Sequence, residues 1–317
     1  MSSPTASNRT LVIALLANLG IAVSKFVAAA ITGSSAMLTE GVHSVVDSTN
    51  QLLLMWGRRQ AKKPPDKYHP FGYGRELYFW SFVVAVLVFS LGAGVSVYEG
   101  IIHIVEPEPA VSPLIAYAVL LVAFLLEGWS TLEAFQEFRA AKGRLGWIEA
   151  IRRSKDPPAF IVLLENGAAM AGIIAAAVGL ALSQFTGNPF YDGAASVVIG
   201  IILGITALVL AYESKGLLIG EAADPQLVRS LREMVAEKEG VVGVGHVMTI
   251  HSSPDQVMAM VNVDFRDTIT AGEVERIVSE VEQEAHERWS HVRSVFIRPM
   301  HGAEKERRKT AHRKTAE

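Results

Sequence analysis

The sequence predicts an α-helical membrane protein with six transmembrane helices, followed by a small C-terminal α+β domain. Hydrophobic residues make up 50% of the 317 residues and lie in long blocks, and only 19% are charged, against about 25% in an average soluble domain. After residue 221 the apolar residues instead follow the spacing of strands and amphipathic helices. We therefore expect a transmembrane domain over residues 1–220, an α+β domain over 221–301 and a disordered, charged tail over 302–317.

Each transmembrane helix is predicted from a stretch of about 20 mostly apolar residues, the length that crosses a bilayer. The second and fourth stretches contain ionisable residues and are assigned by their length and flanks. The N-terminal segment has neither a signal-peptide cleavage site nor the Arg-rich pattern of a transit peptide. We therefore expect the first span to be retained, and a prokaryotic plasma membrane rather than an organelle. The predicted spans are Leu11–Ile31, Met37–Trp56, Leu77–Ile104, Leu114–Phe138, Ala159–Leu182 and Ala194–Leu218.

The connections between the spans differ in charge. The second and fourth connections are rich in lysine and arginine, whereas the segments TGSSA, HIVEPEPAVS and SQFTGNPFYD carry neither. By the positive-inside rule, both termini are expected in the cytoplasm. The basic residues are Arg58, Arg59, Lys62, Lys63, Lys67 and Arg75 in one connection, and Arg139, Lys142, Arg144, Arg152, Arg153 and Lys155 in the other.

The last third of the chain has the spacing of a mixed domain. The order of elements is α-β-β-α-β, which predicts a small α+β domain of the ferredoxin-like kind. The elements are Pro225–Lys238, Val244–Ile250, Val257–Phe265, Ala271–Trp289 and Val292–Arg298. Five histidines of this region are expected to be scattered surface residues: His246, His251, His286, His291 and His301.

Composition limits the chemistry of the chain. A net charge of −3 implies no nucleic-acid partner. The absence of cysteine excludes disulfides, thiolate catalysis and sulfur-rich metal sites. Because the spans contain neither an HExxH motif nor a paired nucleophile and base, we expect no enzyme and no cofactor.

The second span carries a stripe of polar residues. Glu40, His43, Asp47 and Asn50 are spaced i, i+3, i+7 and i+10, positions that share one face of a helix. His43 and Asp47 can reach one ion; imidazole with carboxylate suits zinc, and more oxygen ligands favour manganese or iron. The residues leave two interpretations open, a divalent cation site or hydrogen bonding between helices. Glu40 is placed either for ion entry at the membrane surface or for ligation.

Other spans also carry ionisable residues, which inside a membrane are functional hypotheses by default. Glu165 and Asn166 lie in the fifth span, and Glu165 is placed to close an ion site from a second helix. Glu127 of the fourth span is either a ligand or a structural partner. Lys25 of the first span either neutralises a carboxylate or extends its ammonium group to the interface.

The first basic connection contains the segment KKPPDKYHPFGYGREL, with Asp66 and His69 at i, i+3 and Tyr73 four residues later. Its prolines and glycines predict a shaped loop rather than a helix. The residues leave open whether the loop binds a second metal ion or only orders itself.

The segments GSSAMLTEGVHSVVDSTNQLLLMWG and HPFGYGRELYFWSF strongly resemble the cation diffusion facilitator family, also called the zinc-transporter (ZnT) family. The resemblance extends over nearly the whole chain. SKDPPAFIVLLENGAAMAGIIAA and TGNPFYDGAAS are similar to the mitochondrial-type ZnT branch and its bacterial relatives. The resemblance implies a homodimer in the lipid bilayer that exchanges cytoplasmic divalent cations for protons by alternating access.

The family's transport site takes two residues from the second span and two from the fifth. By resemblance, the first pair is His43 and Asp47, which would also couple metal to protons. The second pair falls on Ile161, which cannot bind metal, and Glu165. Either the site has three protein ligands plus water, or a fourth comes from Asn166, Glu40 or Glu127. Zinc is the expected cargo, with manganese, iron, cobalt or cadmium as alternatives; a metal-sensing or assembly protein is the rival interpretation.

The family's other metal sites match less well. The loop site would fall on Asp66, His69 and Tyr73, and the last is often histidine in bacterial members, so the resemblance implies a weak site. In the C-terminal domain only His246 matches a ligand position, while Asn262, Arg298 and Met300 occupy others. We expect this domain to dimerise rather than to hold a complete zinc cluster.

Overall fold

The structure is a computed structural model that describes residues 8–32, 35–106 and 113–301. Within those ranges, the side chains of residues 32, 35–43, 46 and 113 are outside the description. The predicted disordered tail, residues 302–317, also lies outside the described residues. The chain divides into two compact units, Met1–Leu218 and Ile219–Glu317, and each is considered by itself below.

The described residues of the first unit form helices joined by loops, with no strand among them. A π-helical segment, Val88–Gly94, joins the third and fourth helices into one continuous rod. The helices are α1 (Asn8–Thr32), α2 (Ser35–Ala61), α3 (Glu76–Leu87), α4 (Val95–Val105), α5 (Pro113–Lys142), α6 (Trp147–Arg153), α7 (Pro157–Thr186) and α8 (Phe190–Ile219).

Five helical stretches within the described residues are long and apolar enough to cross a membrane. They match the first and the third to sixth predicted spans: Asn8–Ile31, Glu76–Val105, Leu114–Lys142, Pro157–Thr186 and Phe190–Ile219. α2 lies where the second span was predicted and is 27 residues long. It is not among the five because its polar residues lower its hydropathy, so the six-span topology stays a prediction.

The ends of α7 follow from its sequence. Pro157 and Pro158 occupy the first helical positions, where a missing N–H leaves no intrahelical bond unmade. At the other end Gly187 has φ +67°, the left-handed conformation that commonly terminates a helix. These two signals fix the helix that carries Glu165.

The helices of the first unit pack in two ways. One is an apolar cluster of buried side chains from seven α-helices and the π-helical segment, including Leu11, Leu54, Val84, Phe138, Phe160 and Leu210. The other is close approach through glycine between the α3–α4 rod and α8. A Cβ on Gly100 would lie 2.8 Å from the Gly193 carbonyl oxygen, and one on Gly200 would lie 2.5 Å from Val97 Cγ2. Small residues thus bring these backbones together, as is common in membrane helices.

The second unit confirms the predicted α-β-β-α-β order. Its sheet has the order β1-β2-β3, with β1 and β2 antiparallel and β2 and β3 parallel. The Thr270 side chain and Glu273 form a reciprocal capping box at the start of the second helix. The elements are α9 (Pro225–Ala236), β1 (Val241–Ser253), β2 (Gln256–Phe265), α10 (Ala271–Arg288) and β3 (Val292–Pro299).

β1 is longer than predicted, because register shifts between Val244 and Val247 and between His251 and Ser253 let it continue. One prediction about its histidines was wrong. His251 is 6% exposed, and its Nδ1 lies 3.3 Å from the Ser253 carbonyl oxygen. It is buried because the segment before α9 lies against it, with the His251 amide donating to the Glu221 carbonyl. His246 is exposed, as predicted.

Candidate metal centre

α2 is unbroken along the predicted polar stripe, so Glu40, His43 and Asp47 lie on one helix. The side chains of Glu40 and His43 are outside the described residues. Asp47 is half-buried. One turn earlier Ser44 is buried and accepts a hydrogen bond from Lys25 Nζ of α1 at 2.9 Å. Lys25 thus lies beside the polar stripe, the position expected if its ammonium group neutralises a carboxylate there.

Glu165 of α7 faces this stripe. Its Oε2 accepts a hydrogen bond from Gln51 Nε2 at 3.2 Å, and its Oε1 accepts one from Asn50 Nδ2 at 3.5 Å. The carboxylate of Asp47 is close enough to Glu165 to interact with it electrostatically. The structure therefore brings Asp47 of α2 near Glu165 of α7, while the pairing of His43 with Glu165 stays a prediction.

Glu127 of α5 is the third carboxylate of the centre. It is 3% exposed and interacts electrostatically with both Asp47 and Lys25. The Asn166 amide, oriented by its contacts, donates from nitrogen to Glu127 Oε1 at 3.3 Å and accepts at oxygen from Ser130 Oγ at 2.7 Å. Asn166 therefore links α7 to α5 rather than to α2. Its role as a metal ligand stays a prediction.

The carboxyl groups of Asp47, Glu127 and Glu165 come from three helices and interact electrostatically with one another, and Lys25 interacts with Glu127. Like charges in a low-dielectric interior repel, and the arrangement favours a state in which protons or a cation neutralise them. Within the part of the chain that the structure describes, no three His, Asp or Glu side chains form a ready group of metal ligands. That part lacks the His43 side chain, so it contains only some of the predicted site.

Ile161 explains why α7 offers one carboxylate where the family pattern has two ligands. Its side chain is 0% exposed and belongs to the apolar cluster of the first unit. One turn later Glu165 points to α2. The usual ligand position is therefore part of the hydrophobic core.

A buried ion pair near the centre was missed by the sequence analysis. Arg58, assigned there as a loop charge, pairs with Asp156 at 3.0 Å between Nη2 and Oδ2, and the two side chains are 12% and 0% exposed. The pair joins the end of α2 to the start of α7. The signal was an aspartate directly before two prolines that begin a helix.

The loop that follows α2 is held by one carboxylate. Asp66 Oδ1 accepts from the amides of Tyr68 and His69 at 2.9 and 2.7 Å, and Oδ2 accepts from Tyr73 Oη at 2.6 Å. The Tyr73 bond and the backbone bonds lower the pKa of Asp66 to about 2. The His69 and Tyr73 rings are 4.1 Å apart. These contacts order the loop without a metal, so a metal site at Asp66 and His69 stays a prediction.

The positions that the resemblance identified in the second unit differ in exposure, although Asn262 and Arg298 are partners in the sheet and Asn262 and Met300 both lie at Gly245. His246 and Arg298 are exposed, whereas Asn262 is 3% exposed. Met300 packs at Gly245, where a Cβ would lie 2.7 Å from its sulfur. Among the described residues of this unit, no three His, Asp or Glu side chains form a group that could hold a metal ion.

Comparison with known proteins identifies the family. Residues 11–219 match the family model described as the cation efflux transmembrane domain. The chain is 34% identical over 268 residues to the proton-coupled zinc antiporter SLC30A9, mitochondrial, of Xenopus laevis, covering 82% of this chain and 48% of that protein. It is 36% identical over 222 residues to metal tolerance protein C4 of Arabidopsis thaliana, covering 69% and 49%. It is 26% identical over 253 residues to the cation-efflux pump FieF of Cronobacter sakazakii, covering 80% and 79%.

The chain spans about half the length of the first two of these relatives. One of the three is named as mitochondrial and another comes from a bacterium, so the comparisons do not support the predicted preference for a prokaryotic plasma membrane over an organelle. The matched domain and the apolar helices agree on an integral membrane protein. The chain belongs to the cation efflux family.

Proposed function

We propose that this protein is a proton-coupled efflux transporter of divalent cations, with zinc as the expected cargo. The observation that carries the proposal is the position of Glu165. Its carboxylate, on α7, is held by two amides of α2 one turn from Asp47. The SLC30A9 relative is named a proton-coupled zinc antiporter, which supports the same class of activity.

In this proposal the cation binds between α2 and α7 at His43, Asp47 and Glu165. Metal ligands must be deprotonated, so protons and cations compete for the same side chains. His43 and Asp47 carry the protons, because an imidazole titrates near neutral pH and a carboxylate beside other carboxylates is readily neutralised. Glu127 interacts with Asp47 and receives part of the charge change, while Lys25 offsets the remaining negative charge.

The wider organisation belongs to the same proposal. α2 also crosses the membrane and brings the number of transmembrane helices to six. A polar face inside the membrane needs partners on other helices, and Glu165 is such a partner. Both termini lie in the cytoplasm, since the basic connections mark that side. The C-terminal unit dimerises two copies, as the family resemblance implies.

The test is cation flux into proteoliposomes that carry a pH gradient, with zinc and manganese supplied separately. Glu165→Ala and Asp47→Ala should abolish saturable flux while both variants remain folded. Glu149→Ala is a matched control, because that carboxylate is exposed on α6 and pairs only along its own helix among the described contacts. Wild-type flux that is independent of the pH gradient, or that survives both substitutions, would refute the proposed mechanism.

Two other functions are supported by particular observations. The oxygen-rich surroundings of Glu165 favour a carrier selective for manganese or iron, which manganese flux exceeding zinc flux would reveal. The buried Ile161 removes a family ligand and favours a metal-sensing or assembly protein. Tight binding of zinc without any flux would support that second function.

A further inference from the structure

Two amides of α2 lie inside the centre with their oxygens unused. Gln51 and Asn50 are 1% and 3% exposed, and each gives its nitrogen to Glu165. Among the described atoms, neither Gln51 Oε1 nor Asn50 Oδ1 has a hydrogen-bond partner. A buried polar atom left without a partner is destabilising. The centre thus contains two buried acceptors for which the described residues supply no donor.

Gln51 extends the row of the predicted ligands. His43, Asp47 and Gln51 follow one another at intervals of four residues, so they lie one above the next along the same side of α2. Asn50 is next to this row and shares the contact with Glu165. A cation held by Asp47 and Glu165 would therefore lie within one helical turn of the Gln51 amide.

Without a cation, flipping the Gln51 amide would not give its oxygen a favourable partner. Exchanging the oxygen and nitrogen of Gln51 would point a carbonyl oxygen at the carboxylate of Glu165, which repels it when ionised. A divalent cation changes this balance, because side-chain carbonyl oxygens coordinate such ions together with carboxylates. Asn50 can keep its bond to Glu165 while Gln51 turns.

We propose that Gln51 is a ligand of the transported cation through its Oε1 atom, in place of the ligand that the core residue Ile161 cannot supply. The proposal rests on the proposed transport function and adds a residue to its site. Coordination by Gln51 would also set the metal preference of that site. A neutral oxygen in place of an imidazole makes the site harder and raises the relative affinity for manganese over zinc.

The experiment uses three substitutions in the full-length chain. Gln51→Met keeps the length of the side chain but removes both the oxygen and the N–H donor. Gln51→Glu keeps an oxygen in the same place, replaces the N–H donor with a second oxygen and adds a negative charge. Gln136→Met is the matched control, because Gln136 is exposed on α5. Dissociation constants for Zn²⁺ and Mn²⁺ are measured by titration calorimetry on each purified protein at pH 8, and flux is measured in parallel.

We expect Gln51→Met to weaken manganese binding about tenfold, equal to about 1.4 kcal/mol, and zinc binding by less. Gln51→Glu should retain or strengthen both, and Gln136→Met should match wild type. Equal weakening by Gln51→Met and Gln51→Glu would overturn the proposal, because it would assign Gln51 to holding Glu165 through its N–H group. Unchanged affinities in Gln51→Met would overturn it as well.

The same measurements separate this proposal from the proposed function. A wild-type protein that neither binds nor moves zinc or manganese would refute the transport function, and the ligand role with it. A wild-type protein that transports, together with a Gln51→Met variant of unchanged affinity and selectivity, would refute the ligand role alone.

Discussion

Replacing Arg58 with glutamine would remove the guanidinium group that pairs with the buried carboxylate of Asp156. The two side chains are 12% and 0% exposed, with Nη2 and Oδ2 3.0 Å apart. At an effective dielectric constant of about 20, Coulomb's law gives about 5.5 kcal/mol for this separation. Desolvation of the paired charges offsets part of that attraction, so removing one partner should cost about 3–5 kcal/mol of unfolding free energy. For a unit of this size, that corresponds to a decrease of about 6–20 °C in Tm.

The assay is thermal unfolding in detergent of wild type, Arg58→Gln, Asp156→Asn and the double variant. Because both single changes remove the same interaction, the double variant should lose at least about 1.5 kcal/mol less than the sum of the two. The neighbouring Arg59 is exposed, and Arg59→Gln should change stability by less than about 0.5 kcal/mol. Losses that add within about 0.5 kcal/mol would refute the reasoning, because they would show that the two side chains act independently.

Three further predictions concern other parts of the chain. Gly179→Ala would place a Cβ 2.4 Å from a methyl carbon of α8 and should lower the free energy of unfolding by about 1–3 kcal/mol, measured by thermal unfolding. At Gly167 a Cβ would meet nothing within 4 Å, so Gly167→Ala should lower the stability much less. Equal losses of stability in the two variants would contradict the packing argument. Thr270→Ala removes the cap of α10 and should speed hydrogen exchange in its first turn by the equivalent of about 1 kcal/mol; unchanged exchange would contradict the capping role. Because the pKa of Asp66 is lowered from 3.8 to about 2, the loop should keep its full order above about pH 4 and lose it as the pH falls toward 2. In a ¹³C NMR titration, Tyr73→Phe should return the pKa of Asp66 toward 3.8. An unchanged pKa would show that the Tyr73 hydroxyl is not the main cause of the lowered value.

The apolar helices were the easiest part of the fold to predict, because bilayer length and composition define them. Their ends were less accurate: α5 continues to Lys142, beyond the predicted Phe138, since charged residues extend a helix once it has left the apolar region. The short helix α6 and the π-helical segment Val88–Gly94 were not predicted. Their sequences carry no periodicity that separates them from a loop or from ordinary α-helix.

Spacing along α2 predicted a polar face that includes Asn50, and the structure places Asn50 in contact with Glu165. The spacing analysis did not include Gln51, because the stripe was counted at i, i+3, i+7 and i+10 and so ended at Asn50. The interval of four residues from His43 through Asp47 was the signal available. Arg58 was missed for a different reason, since a basic residue after a span is normally a surface charge, and only tertiary contact with Asp156 buries it.

The π-helical segment Val88–Gly94 lets a single membrane helix serve two unrelated neighbours. A wide turn holds one more residue than an α-helical turn, so it rotates everything that follows by about 100° about the axis. Before the segment, Trp80 of α3 packs at Gly57 of α2, and after it Gly100 of α4 meets Gly193 of α8. Loss of one residue here would leave both halves helical but out of phase, and Gly100 would turn away from α8. The length of this stretch, more than the identity of its side chains, should therefore be what natural variation preserves.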